Sequence, residues 1–363
     1  MKKILFITAF KPSKISAGEN FTRLLLSNLT KKNIIDLVYF KIENESSFIS
    51  SNKNINVIKE YSINKWIKLC TYLLKPYFFP VFRVRFNNTR KLEIIKLVNE
   101  NSYDLIILDY GQCFEVGLTI KNRKLLIAHD VLFQRYSRHN AILGLWSKWT
   151  ERRLLRQNNS DIFTFSEKDK QLISDNYKIK SHVTGFFLDD NVLESYPILM
   201  KDYFVFFARW SRKDNSEGLL WFFENVFPFL NESYQFKIIG LELSNNIIKK
   251  IQNPNVEILG FVENPYQIIS EAKALIAPLF NGAGVKVKVI EALACGTPVI
   301  GSDISFEGID DENKKFLNKC NSTKDYLKVM ANVNVTLEER INFKKNFILR
   351  NNSQNILEFI KNL

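Results

Sequence analysis

A glycine-rich turn followed by two lysines and a glutamate is the part of the sequence best suited to chemistry. Gly282 and Gly284 let the backbone approach an anion closely, because glycine adopts conformations closed to other residues. Lys286 and Lys288 add positive charge, and Glu291 lies three residues beyond Lys288, on the same helical face. A carboxylate there can accept hydrogen bonds from a ribose diol. The spacing therefore fits a phosphate site with a sugar contact, or an ordinary crossover with a solvated Lys–Glu pair.

The elements around this turn place it at the end of a strand. An apolar run over 274–279 precedes it, and residues 285–294 carry apolar side chains at helical spacing. Gly296 follows where a helix C′ residue belongs, and a second apolar run begins at Val299. Strand, turn, helix and strand form the crossover that parallel strands require. Open α/β sheets bind ligands beyond the carboxyl ends of such strands, where a helix N-terminus attracts phosphate.

The run from Gly282 to Asp303 reads GAGVKVKVIEALACGTPVIGSD and resembles the C-terminal signature of the family 4 glycosyltransferases. The resemblance implies the GT-B fold, an α/β architecture in which two Rossmann-like doubly wound domains face each other across a cleft. It also implies sugar transfer from a UDP- or GDP-sugar with retention of configuration. The donor is then a substrate, and neither a tightly bound cofactor nor a metal is expected. Family members commonly have glutamate where this chain has Ala283, a difference that bears on the donor sugar.

The resemblance assigns roles within this segment. Glu291 is expected to hold the ribose of the donor. The backbone and charge of Gly282, Ala283, Gly284 and Lys288 are expected to bind the rest of the nucleotide-sugar.

A second loop suited to an anion follows the apolar run 203–208. It contains Arg209, Arg212 and Lys213 ahead of a helix. Family members commonly have an arginine that matches Arg209 and a lysine at the position of Asp214, so Arg212 or Lys213 must substitute for that lysine. The resemblance implies that Arg209 and Lys213 act catalytically by neutralising the leaving diphosphate. The alternative is a solvated basic turn.

Three further positions carry roles by resemblance. His129 follows the apolar run 124–128 and is expected to contact the donor sugar, with Asp130 orienting its ring. Gly18 lies in the loop after the first strand, which borders the acceptor and the donor phosphates in the family. Val262 is expected to line the base pocket through its backbone. A structural histidine and an ordinary turn are the alternatives for the first two.

Strand-like and helical stretches alternate along the chain, which predicts doubly wound domains. We expect an acceptor-binding domain over 1–190, a nucleotide-sugar-binding domain over 191–345, and a C-terminal helix over 346–363 that packs back on the first domain. The strands expected in the first half are 3–10, 36–40, 104–108, 124–128, 161–165 and 181–184.

Composition limits the function classes. With 363 residues, 46% of them hydrophobic, the chain can form two α/β domains. The net charge of +13 indicates a polyanionic partner or surface. Three histidines and the lack of any Asp-x-Asp triplet argue against a metal site, and four dispersed cysteines indicate a cytosol-like compartment. No stretch of the sequence is long and apolar enough to span a membrane.

Residues 66–90 interleave aromatic and basic side chains. Between residues 60 and 100, eight Lys/Arg accompany three Glu. Such a surface suits an anionic bilayer, although a buried helix pair with basic edges is the alternative. We expect this segment to dock the protein peripherally on the inner face of the cytoplasmic membrane through Lys68, Lys75, Arg83 and Arg85. By resemblance, the acceptor is a glycan or lipid-linked saccharide of a bacterial surface polysaccharide such as lipopolysaccharide.

Two rival functions remain open at this point. A sugar-nucleotide epimerase shares the fold, and a basic chain could be a non-catalytic membrane- or nucleic-acid-binding module. The sequence contains no RNA- or DNA-binding motif, so no nucleic acid partner is expected.

Overall fold

The chain forms two compact units, each built on a parallel sheet. The computed structural model describes residues 1–63, 78–309, 313–351 and 354–363. Unit 1 comprises Met1–Phe187 together with Ser353–Leu363, and unit 2 comprises Leu188–Asn352.

Unit 1 contains a seven-stranded sheet in the order β3-β2-β1-β4-β5-β6-β7, and every paired strand is parallel to its neighbour. The order reverses between β1 and β4, which creates a switch point at the carboxyl ends of these two strands. The strands are β1 Lys2–Thr8, β2 Asn33–Ile42, β3 Ile55–Ile63, β4 Leu105–Asp109, β5 Lys124–Ala128, β6 Asp161–Thr164 and β7 His182–Val183.

Unit 2 contains a six-stranded parallel sheet in the order β10-β9-β8-β11-β12-β13. Its switch point lies between β8 and β11. The strands are β8 Tyr203–Phe207, β9 Gln235–Ile239, β10 Val256–Gly260, β11 Ala274–Ala277, β12 Val299–Gly301 and β13 Leu317–Lys319.

Helices connect the strands in both units. Within the described ranges they are α1 Ala17–Leu29, α2 Asn88–Glu100, α3 Phe114–Gly117, α4 Leu132–His139, α5 Ala141–Gln157, α6 Glu167–Tyr177, α7 Asp190–Glu194, α8 Lys213–Asn225, α9 Asn245–Ile251, α10 Tyr266–Glu271, α11 Val287–Ala294, α12 Thr323–Asn332, α13 Leu337–Asn351 and α14 Gln354–Asn362. Helix α14 belongs to unit 1, where the Phe359 ring lies 5.2 Å from that of Phe163.

The central strands are the apolar runs of the sequence. Ile4, Ile7 and Ile107 are fully buried, as expected for strands covered on both faces. The expected α/β class with two doubly wound sheets is confirmed. Gly296 has φ +78° directly after α11, as the helix C′ position requires.

Two edge strands were not anticipated from the sequence. Strand β3 leaves most of its side chains exposed or half-exposed, and β13 has only three residues. Neither therefore contains the continuous apolar run that identifies a central strand.

Candidate active site

The switch point of unit 2 brings together the two loops that the sequence marked for anion binding. One loop follows β8 and contains Arg209 and Arg212, and the other follows β11 and contains Gly282 and Gly284. Because β8 and β11 are neighbouring parallel strands, both loops leave the sheet at the same edge.

A chain of hydrogen bonds joins these loops. Lys288 Nζ donates to Asn215 Oδ1 at 2.9 Å, and Asn215 Nδ2 donates to the Arg209 carbonyl oxygen at 2.9 Å. Lys288 is half-buried on the first turn of α11, and Asn215 is on the first turn of α8. The start of α11 is thus fixed to the start of α8, so two helix N-termini lie beside one another with a lysine between them.

The electrostatics of this junction favour an anion. Burial, followed by the charges of Lys286 and Arg212, lowers the pKa of Lys288 to about 7, while Asp214 acts in the opposite direction. Lys286 Nζ donates to the Gly284 carbonyl oxygen at 2.6 Å and lies 3.8 Å from Glu307. The site therefore concentrates cations that repel one another, and a bound anion would relieve that repulsion.

The glycine loop has the backbone that the sequence suggested. Gly282 has φ +118° and Gly284 has φ +67°, conformations that favour glycine. The Cβ of a residue at position 282 would lie 3.4 Å from Lys286 Cε and 3.9 Å from Asp214 Oδ2. Ala283, between the two glycines, is half-buried.

Close packing of α8 on the sheet holds this geometry. A Cβ at Gly218 would lie 2.0 Å from the carbonyl oxygen of Pro278, the residue that follows β11. Glycine is therefore required for the helix to approach the strand end this closely.

Arg209 is already paired with a carboxylate. Its Nε and Nη2 donate to the two oxygens of Glu242 at 2.7 and 2.8 Å, in the forked geometry that guanidinium and carboxylate favour. Hydrogen bonds from Arg209 and then Ser211 lower the pKa of Glu242 to about 2. The pair is partly solvent-exposed, so an incoming anion could exchange with Glu242 for Arg209.

Lys213 and Arg212 are placed differently from Lys288. Lys213 is 84% exposed and lies 3.4 Å from Glu217, one turn along α8. Arg212 is exposed at the N-cap of α8, close enough to Lys288 to lower its pKa. The hydrogen-bonded junction therefore excludes the expected Lys213 and includes Lys288.

Glu291 is held by a tyrosine. Tyr266 Oη donates to Glu291 Oε1 at 3.0 Å. Burial, with a smaller contribution from the charge of Asp189, raises the pKa of Glu291 to about 7. Lys288 and Glu291 are on the same helix, as their spacing predicted.

Val262 is half-buried just beyond the end of β10.

The switch point of unit 1 contains a second cluster, centred on Asp109 at the end of β4. The Asp109 carboxylate is fully buried and accepts hydrogen bonds from Thr8 at 2.8 Å and Thr22 at 2.7 Å. Its other oxygen lies 2.7 Å from His129 Nε2. Since a carboxylate only accepts, the His129 proton belongs on Nε2, and in the neutral ring Nδ1 is left as an acceptor. We expected Asp130 to orient this ring. Asp109, at the end of the neighbouring strand, makes the contact with Nε2, and the role expected of Asp130 stays a prediction.

Gly18 and Tyr110 lie against the same imidazole. The Tyr110 ring stacks on His129 with centroids 3.5 Å apart, and a Cβ at Gly18 would lie 3.2 Å from His129 Nδ1 and 2.4 Å from Tyr110 Oη. Tyr110 has φ +70°, a strained backbone conformation for a residue other than glycine. The structure thus brings together Gly18 and His129, two residues selected from the sequence.

The basic segment 66–90 differs from expectation where it is described. Arg83 contacts Glu115 at 2.7 Å, and the buried Arg85 donates to the Ala9 carbonyl oxygen at 2.9 Å. These two cations face the protein interior, so the prediction that they contact a bilayer was wrong. The expected contributions of Lys68 and Lys75 lie outside the described residues.

The described residues show neither an arranged metal site nor a membrane-spanning helix. Within the described ranges, no cluster of His, Cys, Asp and Glu side chains is arranged to hold a metal ion. No helix in the same ranges has the length and apolarity needed to cross a membrane.

Residues 201–333, which include both loops of unit 2, match the family model for group 1 glycosyl transferases. This match makes residues 201–333 similar to group 1 glycosyl transferases. Among curated proteins, no sequence matches it.

Solved structures with the same architecture support the fold of this chain. A sucrose-phosphate synthase from Thermosynechococcus elongatus is similar with a TM-score of 0.70 at 15% identity, covering 100% of this chain and 98% of that one. Anabaena HepE in complex with UDP-glucose gives 0.68 at 13%, with full coverage of both chains. An S. aureus TarM variant in complex with fondaparinux, alpha-GlcNAc-glycerol and UDP gives 0.70 at 12%, covering 100% and 99%. The GT-B fold expected from the signature is thereby confirmed.

Sequence reasoning missed four residues that contact the candidate site residues: Asp109, Asn215, Glu242 and Tyr266. Asp109 carried a usable signal, because it is the polar residue that ends a buried apolar run. Asn215, Glu242 and Tyr266 contact their partners across 73, 33 and 25 residues of sequence respectively, and no local pattern indicates these pairings.

Proposed function

We propose that this protein is a glycosyltransferase that moves a sugar from a nucleotide-sugar to a glycan or lipid-linked saccharide acceptor, with retention of configuration. The observation that carries the proposal is the junction in unit 2, where Lys288 and Asn215 join the two loops at the switch point. A diphosphate is the ligand chemistry that suits cations and helix N-termini at such a position.

In this proposal the donor diphosphate binds at the start of α11. The backbone of Gly282, Ala283 and Gly284 approaches its oxygens, and the ammonium of Lys288 supplies the nearest fixed charge. Because this positive field is in place before the reaction, it stabilises the negative charge that grows as the sugar leaves. Nearby Arg212 adds to the field.

We keep the catalytic roles that the resemblance assigns to Arg209 and Lys213. Their contacts suggest that Arg209 binds the diphosphate directly and that Lys213 acts from farther away. Arg209 reaches the diphosphate by exchanging Glu242 for a phosphate oxygen, which its forked geometry suits. Lys213 is exposed and acts through its charge at longer range.

The remaining donor contacts follow from position. Glu291, held by Tyr266, accepts hydrogen bonds from the ribose diol when it is ionised. Val262 lines the base pocket through its backbone. The HepE and TarM structures are complexes with UDP-glucose and UDP, which supports a uridine nucleotide as the first donor to test.

In unit 1 we assign sugar binding to His129 and Gly18. The hydrogen bond to Asp109 leaves His129 Nδ1 as an acceptor for a sugar hydroxyl. Gly18 keeps that nitrogen accessible, because any side chain at this position would cover it. For retention, the acceptor hydroxyl attacks the anomeric carbon from the face that the diphosphate leaves, and transfers its proton toward that leaving group.

The setting that best fits these assignments is bacterial surface polysaccharide synthesis, including lipopolysaccharide. The enzyme would act on the cytoplasmic side of the membrane as a peripheral protein, without a metal or a tightly bound cofactor.

A thermal-shift panel of UDP-, GDP- and ADP-sugars tests the donor site. We expect one base to stabilise the protein, and we expect Lys288→Ala, Arg209→Ala and Glu291→Ala to weaken that stabilisation. Lys324→Ala, which removes an exposed lysine on α12, is the matched control and should behave as the wild type. Donor stabilisation that survives all three changes would place the site elsewhere. Epimerisation of the donor without any acceptor would favour the epimerase alternative.

A further inference from the structure

Helix α5 has an unusual outer face. Ile142, Leu145 and Trp149 recur at helical spacing and are 75%, 67% and 49% exposed. Arg152 and Arg153 continue the same stripe, also exposed. At 100° per residue, the five side chains fall within an arc of about 100°. We call these five residues the outer face of α5.

Apart from the half-buried Trp146, the amino-terminal part of this helix turns small and polar side chains inward, and its buried leucines, Leu154 and Leu155, lie in the last turn. The amino-terminal part is therefore inverted relative to an ordinary surface helix. Gly144, Ser147, Thr150 and Glu151 are buried. Thr150 Oγ1 accepts a hydrogen bond from the Phe79 amide at 2.8 Å.

Specific contacts fix this rotation of the helix. Glu151 accepts hydrogen bonds from the Leu132 amide at 3.0 Å, the Phe133 amide at 3.3 Å and Tyr177 Oη at 2.7 Å. A Cβ at Gly144 would lie 2.2 Å from Ser137 Oγ. Turning α5 to bury its apolar residues would break these hydrogen bonds, so the outer face stays directed away from the core.

The exposed charged side chains on and near this helix are positive. Residues 132–157 contain six Lys/Arg and one carboxylate, which is the buried Glu151. The Arg153 guanidinium lies 5.6 Å from the Trp149 ring centroid and 5.0 Å from that of Phe78. Arginine stacked on an exposed tryptophan provides a polar tip beside an apolar body, the combination found where a protein meets a lipid interface.

We propose that the outer face of α5 docks this enzyme on an anionic lipid bilayer. Aliphatic side chains and Trp149 enter the interface, while Arg152 and Arg153 contact lipid phosphates. A nucleic acid would satisfy the arginines but would leave Ile142 and Leu145 without a partner.

A second copy of the chain fits the surface poorly. In a twofold contact the same patch meets itself, which would set the cations of one copy against those of the other. The proposal deepens the membrane location given under the proposed function, but it depends on α5 and not on the donor site.

Vesicle co-sedimentation of the full chain tests the proposal. We expect binding to vesicles of equal parts phosphatidylcholine and phosphatidylglycerol, weak binding to phosphatidylcholine alone, and release by salt. The double variants Ile142→Ser/Leu145→Ser and Arg152→Gln/Arg153→Gln should each lose at least about tenfold in apparent affinity. Leu349→Ser is the matched control, because Leu349 is 71% exposed on a helix of unit 2.

Fluorescence identifies the contacting residue. Brominated lipids should quench part of the tryptophan emission, and Trp149→Phe should remove that part. Thermal stabilisation by a nucleotide-sugar should be unchanged in every α5 variant, so failure here is separable from failure of the donor proposal.

Several results would overturn the proposal. These are no vesicle binding, equal binding to neutral vesicles, or a dimer in solution that Ile142→Ser/Leu145→Ser dissociates. Oligonucleotide binding lost only in the arginine variant, without vesicle binding, would assign the surface to nucleic acid instead.

Discussion

Lys288 should couple donor binding to pH. Burial and the charges of Lys286 and Arg212 lower its pKa to about 7 in the free enzyme. A diphosphate bound beside it would favour the ammonium form and raise this pKa, so donor binding should take up a proton near neutral pH. Affinity for a nucleotide-sugar should therefore be highest below pH 7 and should fall as pH rises.

The size of the effect follows from the pKa. Between about pH 6 and about pH 8, the protonated fraction of Lys288 falls roughly tenfold, so Kd should rise by up to roughly tenfold. Glu291 opposes this trend, because its pKa is also raised to about 7 and its ionised form accepts from the ribose. Replacing Glu291 with a residue that does not titrate should therefore make Kd depend more steeply on pH.

Isothermal titration with UDP-glucose at several pH values, in buffers of different ionisation enthalpy, measures both Kd and proton uptake. A nucleotide-sugar is preferable to UDP because its diphosphate diester does not titrate in this range. We expect Lys288→Gln to abolish the proton uptake and Glu291→Gln to preserve it. A wild-type affinity that is flat or rises with pH, or an unchanged slope in Lys288→Gln, would refute the coupling.

Two further predictions concern residues that support the candidate sites, Asp109 in unit 1 and Gly218 in unit 2. In Asp109→Asn the His129 proton is no longer fixed on Nε2, and the transfer rate should fall by at least about tenfold. Thermal stabilisation by the donor should remain, and a wild-type rate would contradict the role of Asp109. Gly218→Ala places a methyl group 2.0 Å from the Pro278 carbonyl oxygen and should cost about 1–3 kcal/mol in the free energy of unfolding. Chemical denaturation measures that cost, and an unchanged unfolding midpoint would show that α8 can move away from β11.

Much of the architecture could be predicted from local pattern. Buried parallel strands are continuous apolar runs, so β1, β4, β5 and β8 were recognisable, and the turn after β11 was marked by its glycines. The same reasoning failed for β3, because an edge strand that stays exposed has no apolar run.

Local pattern also selected most of the candidate site residues, since anion-binding loops need particular residue types at strand ends. It could not select their partners. Asp130 adjoins His129 in sequence, but the contact is made by Asp109, which the order β1-β4-β5 places alongside.

The sequence by itself determined the α/β class, the glycine loop and the positions of the cations. Only the tertiary structure decided that Lys288 meets Asn215 across 73 residues, that Glu242 pairs with Arg209, and that α5 turns its isoleucine and tryptophan outward. The physical reason is that periodicity acts over a few neighbouring residues. Strand order and helix rotation are set instead by packing and hydrogen bonds between segments far apart in the chain.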